Sequence, residues 1–272
     1  MEEKGERQRS LTDADTRELK DGQGTIVGFN LVLGIDGKHK LIADVSVFNC
    51  KDLTLLPTII ESLMVNYGLA PKEIKRVLAD AGFHTGKVLA LIDEYIEESY
   101  INGRANNSQK PEGFRSSDFV YDAEKNCYVC HNKEHLTSNG TVYNKKNGTN
   151  EVAYTFEKYT TDMCSTCPFR DSCLKEGGKE KKRIIEHSEY KKYIDKNAEN
   201  LQRNPDAYKR RKGLCEHPFG TLKRSYGMYY TNRKGILNVL GEYSLACLVY
   251  NMKRTINIMG HENTMALLQK VA

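Results

Sequence analysis

A chain of 272 residues with 39% hydrophobic and 28% charged residues has an ordinary globular composition and can bury one large core or two small ones. No apolar run approaches the roughly 20 residues needed to cross a bilayer, and the acidic, polar N-terminus has no secretory-signal form. A cytoplasmic protein without a membrane partner is therefore expected. The net charge of +5 is unevenly placed, with 17 Lys/Arg against 8 Asp/Glu between Lys175 and Lys234. A basic segment on a mildly acidic body suits a polyanion, because Lys and Arg bind phosphates and release condensed counterions.

In chain order, the first two dozen residues are polar and are expected to be flexible over 1–23. Phe29, Leu31, Leu33 and Ile35 then alternate on one face, Asp36-Gly37 is a turn signal, and Leu41 to Val47 returns, which predicts an antiparallel hairpin. Leu53 to Leu69 reads as a helix with Pro57 in its first turn. Ile74 to Ala79 reads as a buried-type strand ending at Asp80, Thr85 to Glu98 as a helix, and Tyr100-Ile101 as the start of another strand. This alternation implies a partly parallel sheet. From Gly103 the composition turns polar, with short β-like pieces among cysteines, as expected of an insertion over 103–187. Ser188 to Leu201 reads as a basic helix. Asn204-Pro205-Asp206 opens another, and Ile236 to Ile258 is a long final helix with Leu237, Leu240, Leu248, Met252 and Ile256 expected in the core. The expected divisions are thus 1–23, 24–102, 103–187 and 188–272, in an α/β protein with a small inserted β subdomain and C-terminal helices.

Three features carry chemistry. Asp80 ends a buried-type strand, a position that faces the ligand crevice in open sheets, though an Asp there also serves as a turn former or cap. Glu216 lies among cations in Tyr208 to Arg224, seven residues before Lys223, with Pro218 set to kink or restart the helix. It reads either as part of a metal-and-phosphate site or as a surface ion pair. Five cysteines, Cys127, Cys130, Cys164, Cys167 and Cys173, crowd one stretch in two C-x-x-C pairs and a single, and can supply four thiolates to tetrahedral Zn²⁺. His131 and His135 are expected to face solvent. Tyr226, Tyr229 and Tyr230 suit either base stacking or, more readily, core packing.

Leu78-Ala79-Asp80-Ala81-Gly82-Phe83, followed far downstream by Glu216-His217-Pro218-Phe219-Gly220-Thr221-Leu222-Lys223, resembles the second and third acidic motifs of bacterial insertion-sequence DDE transposases. Ser10 to Arg17, the strand Gly28 to Leu33, and Tyr250-Asn251-Met252-Lys253-Arg254 resemble the same family. The resemblance implies a ribonuclease-H-like core and catalysis by Mg²⁺ or Mn²⁺, which activates water to cut a phosphodiester and then joins the freed 3′-hydroxyl to target DNA. It assigns Asp80 and Glu216 as the second and third metal-holding acids, Lys223 as a phosphate contact beside Arg224, and Arg210, Arg211 and Lys212 as the basic approach to transposon-end and target DNA. Its cysteine pattern selects Cys130, Cys164, Cys167 and Cys173 for a structural zinc, with Cys127 the alternative. The family's first Asp sits on an earlier strand than any read here. Asp36 reads as a turn residue and Asp44 lies on the polar face of its strand. The expectation is therefore an incomplete core lacking its first strand, inactive alone, with an upstream transposase segment or a second copy as partner. The rival readings are a non-catalytic DNA-binding or dimerising fragment and a zinc-ribbon regulator.

Overall fold

The alternation of apolar residues on either side of Asp36 folds as expected, in a computed structural model that describes residues 10–20, 24–50, 54–103, 111–148, 150–174 and 181–271. After a short hairpin, Arg17–Lys20 (β1) with Thr25–Gly28 (β2), strand β3 (Asn30–Ile35) pairs antiparallel with β4 (Ile42–Phe48). Asp36 makes the turn, its carboxylate accepting the His39 N–H at 2.5 Å and the Lys38 N–H at 3.2 Å. Helix α1 (Leu56–Tyr67) starts on Pro57 and ends at Gly68, whose left-handed φ of 61° favours glycine. Strand β5 (Ile74–Ala79) runs through helix α2 (Gly86–Asp93) into β6 (Ile96–Ile101), and the two strands pair in parallel.

The described residues up to Asn102, together with those from Asn197 onward, form one compact unit; Gly103–Lys196 form the other. The second unit is a five-stranded antiparallel sheet in the order β11-β10-β9-β8-β7, made of Val120–Asp122 (β7), Cys127–Val129 (β8), His135–Lys146 (β9), Val152–Thr160 (β10) and Ile185–Ser188 (β11). A one-turn helix, α3 (Arg170–Cys173), lies between the last two strands. Phe119, Tyr128, Leu136, Tyr159 and Ile185 form its core. Helix α4 (Lys191–Arg203) spans the division between Lys196 and Asn197.

Helix α5 (Pro205–Gly220) opens on Asn204, whose side chain accepts the Ala207 N–H at 3.1 Å. Pro218 neither ends nor restarts it. The helix passes through Pro218 and widens into a π-helical turn over Thr221–Ser225, where the ladder shifts register beyond the missing proline N–H. Helices α6 (Ile236–Met259) and α7 (His261–Val271) close the chain. Among the described residues, no helix is long and apolar enough to cross a membrane.

Two expectations need correction, and residues 10–20 have defined partners. Asp13 accepts the Gly235 N–H at 2.9 Å and Asp15 the Ile236 N–H at 3.0 Å, so these polar residues cap the orphan amides that open α6; 1–9 and 21–23 lie outside the described residues. The helix expected to reach Glu98 stops at Asp93, because Ile96, Tyr100 and Ile101 are buried in β6 and its pairing with β5 overrides the helix propensity of Glu94 to Glu98. On α6 the core face is Val239, Tyr243, Cys247 and Tyr250, packed on β4, whereas Leu237, Leu248 and Met252 are at least half exposed. Apolar residues lie on more than one side of the helix, so periodicity could not say which stripe is buried.

Candidate functional site

Asp80 follows the buried Ala79 at the end of β5, in extended backbone. Its carboxylate accepts the Ala81 N–H at 2.7 Å and so caps a short 3-10 turn, Ala81–Phe83, with its side chain 63% exposed. Burial lowers the pKa of His84 just beyond, so the neutral ring is favoured. Helix α5 lies alongside. Arg211 brings an Nη2 to 3.7 Å from the Asp80 carboxylate. One turn on, burial pushes the Cys215 thiol pKa up, with Arg211 opposing and the Asp80 charge adding to the rise. Glu216 is the next residue round the helix, 65% exposed, with the Lys212 ammonium at 3.8 Å. Two successive i,i+4 pairs thus run along α5. Arg211 and Cys215 face Asp80, and Lys212 and Glu216 sit one position round.

Both acids expected at the site therefore lie on elements that meet. A cation pairs with each of them, and among the described residues no further acid completes a group. Among the described residues, no three His, Cys, Asp or Glu side chains converge closely enough to hold a metal ion. Asp44 is buried on β4 and spends both oxygens on the hydroxyls of Ser46, at 2.8 Å, and Ser62, at 2.6 Å. The two-metal chemistry implied by the resemblance does not fit these residues alone.

The expected DNA cations divide. Arg210, Lys212, Lys223 and Arg224 are exposed, whereas Arg211 turns inward with only 25% of its side chain exposed and its Nε buried without a hydrogen-bond partner. Lys223 lies 5.8 Å from the Phe219 ring centroid. The tyrosines divide as well, Tyr226 packing beside Leu222 and Cys247 while Tyr229 and Tyr230 are exposed.

Among the described residues of the inserted unit, none of the five cysteines is in a disulfide. Cys130 and Cys173 both pack against the aromatic core, and Cys164 and Cys167 lie in the segment leading to α3. A tie across that segment comes from Arg170, which donates to the Cys164 carbonyl at 2.8 Å. Cys127 is engaged elsewhere, buried with its Sγ 3.1 Å from His135 Nδ1, since strand alternation turns it away from the face of Tyr128. His131 is exposed, as is His135, yet the His131 ring makes an edge contact with Phe169.

Sequence reasoning gave Tyr250 to Arg254 only a family resemblance and assigned them no part in holding the site's elements in place. Tyr250, Asn251 and Arg254 clamp the hairpin turn: Tyr250 donates to the Lys40 carbonyl and Arg254 to that of His39, while Asn251 pairs with both backbone groups of Ile42. Tyr250 also meets His217 Nδ1 at 3.0 Å, tying the residue after Glu216 to α6. The polar spacing of Tyr250, Asn251 and Arg254 on one side of an otherwise apolar helix was the available signal.

The chain is a mixed α/β protein with a strand-end carboxylate, a basic helix against it and a cysteine-bearing antiparallel sheet. Residues 129–256 match the family model described as transposase DDE domain. The matched segment includes Glu216 and the four selected cysteines and begins downstream of Asp80. No curated protein and no solved structure matches the chain.

Proposed function

We propose that the chain supplies Asp80 and Glu216 to the DNA-cutting and joining site of a transposase with a ribonuclease-H-like core, and that alone it binds DNA without cleaving it. The observation that carries this reading is α5 lying against the end of β5, with Arg211 on Asp80 and Glu216 on the neighbouring helix position. Only tertiary packing brings residues so far apart in sequence together. Arg210, Lys212, Lys223 and Arg224 are the DNA-facing cations, and Arg211 is a positioning residue for Asp80. Cys130, Cys164, Cys167 and Cys173 would hold a structural zinc, a reading that rests on their spacing and on Cys130 and Cys173 packing on one core, since no three of these thiols converge among the described residues. Incubating the chain with DNA and Mg²⁺ or Mn²⁺ tests the proposal. Salt-sensitive binding without cleavage is expected. Robust Asp80-dependent cleavage would refute the claim of an incomplete acid set, and absence of DNA binding would sink the functional reading.

A further inference from the structure

The turn between the π-helical segment and α6 carries two tyrosines that take no part in the packing. Tyr230 is 85% exposed and Tyr229 58%. Among the described residues neither ring stacks on another, and neither hydroxyl has a hydrogen-bond partner. Tyr226, only a few residues earlier, packs beside Leu222 and Cys247 instead. Exposure is therefore a property of these two positions and not of the whole segment. Single apolar side chains on a surface are ordinary, whereas two adjacent exposed rings on a fixed loop call for a partner.

The loop is fixed on both sides of the pair. The Met228 N–H donates to the Leu222 carbonyl at 3.0 Å, and the Met228 carbonyl accepts the Tyr243 hydroxyl at 3.1 Å. Thr231 donates its hydroxyl to Glu242 at 2.5 Å and accepts the Arg233 N–H at 3.1 Å. Gly227 makes the turn at a left-handed φ of 71°. The rings thus stand on a backbone that is already ordered, so contact with an occupant freezes little besides two side-chain torsions in each.

The charges select the occupant. Lys223 and Arg224 precede the tyrosines, Arg233 and Lys234 follow them, and all four are exposed. No Asp or Glu lies between Glu216 and Glu242 in the sequence, and the Glu242 carboxylate is engaged by Thr231. Rings set between two pairs of cations fit a ligand in which flat π faces are joined by phosphates. In a duplex the base faces are covered by their neighbours, so a ring can stack only on a base that is unpaired.

We infer that Tyr229 and Tyr230 form a stacking site for unpaired bases of single-stranded DNA, with Lys223, Arg224, Arg233 and Lys234 meeting its phosphates. Tyr230, the more exposed ring, carries the larger share. The inference rests on the DNA-binding reading but needs neither metal nor cleavage, and it adds a preference for a strand type that the cations alone do not distinguish.

The probe is a single-stranded oligothymidine of about a dozen nucleotides with one central 2-aminopurine, whose fluorescence falls when its ring stacks. A duplex of the same length is the reference, and the full chain is used throughout. The parent should quench the single strand saturably. Tyr230→Ala should lose most of the quenching and weaken single-strand binding about tenfold. It should leave duplex affinity and both salt slopes unchanged, because no charge is removed. Tyr230→Phe should bind as the parent does and Tyr230→Leu as the alanine variant, which separates stacking from apolar contact. An unchanged melting temperature checks the fold of each variant, as expected for so exposed a side chain. Duplex binding without quenching, equal losses on both DNA forms in Tyr230→Ala, or full binding by Tyr230→Leu would overturn the stacking site and leave the transposase reading standing. Binding of neither DNA would sink both.

Discussion

Asn197 of α4 holds Ile101 by both of its backbone groups, accepting the N–H at 3.0 Å and donating to the carbonyl at 2.8 Å. Asn251 of α6 does the same to Ile42, with both bonds at 2.8 Å. Each carboxamide stands in for a neighbouring strand at one end of β6 or β4, satisfying backbone groups that would otherwise go unpaired. Asn197 is also 1% exposed and receives the Ser99 hydroxyl. Asn197→Ala should destabilise the first unit by about 2–4 kcal/mol, since it orphans two buried backbone groups, and Asn251→Ala by about 1–2 kcal/mol at its wetter position. Urea unfolding measures both, and equal, negligible losses would show that water replaces the carboxamides.

The inserted unit should carry about one zinc per chain when purified without chelators. Cys164→Ser or Cys173→Ser should release the metal, whereas Cys127→Ser should retain it, because the Cys127 thiol is committed to His135. Elemental analysis decides the matter, and zinc lost equally from all three variants would mean that the thiols were sorted wrongly.

His187 gives this unit a pH dependence. Its Nδ1 lies 2.9 Å from the Tyr128 hydroxyl, with the rings of Tyr121 and Tyr159 also against it. Burial lowers its pKa and Lys191 adds to the lowering, while Asp195 and Glu157 partly offset both. The same burial raises the Tyr128 pKa and pushes that of Tyr159 up to about 12, so neither phenol ionises near neutrality. With the folded pKa below the ordinary value of 6.5, the neutral ring is favoured in the folded state. Its stabilising effect is therefore complete above that value and is lost as pH falls through the folded pKa. Burial lowers His84 and His217 as well, so the wild-type slope is shared. His187→Phe should flatten the fall in melting temperature between about pH 7.5 and pH 5.5. An unchanged slope would assign the whole effect to the other two histidines.

Strand β5, the β3–β4 hairpin and the Asn204 cap were legible because each is a local pattern: a short apolar run, a period-two alternation across Asp36-Gly37, and a side-chain acceptor before proline. What escaped was set by tertiary packing. Nothing near Leu237 or Val239 says which apolar stripe of α6 meets β4. Nothing near Arg211 says that this one cation in a run of four turns inward to Asp80. The separation of the β3–β4 and β5–β6 ladders likewise depends on which edges meet, a property no single segment contains.

The division of the basic cluster yields the last prediction. Arg210, Lys212, Lys223 and Arg224 are exposed, and among the described residues Lys212 alone of these pairs with a carboxylate, Glu216 at 3.8 Å on the surface, an arrangement worth little in water. Each that meets a phosphate contributes about 0.9 to the slope of log affinity against log salt on duplex DNA. Replacing all four with Gln should therefore weaken binding to every sequence and flatten the slope by about three to four units. Arg211 should behave differently, because its guanidinium is spent on Asp80 rather than offered outward. Arg211→Gln should leave the salt slope unchanged within about half a unit. Fluorescence anisotropy on two unrelated duplexes across a salt series separates the cases. Should Arg211→Gln flatten the slope as much as any exposed cation does, its inward role would be wrong. Should the fourfold variant bind as the parent does, the basic segment is a solvated surface and DNA is held elsewhere.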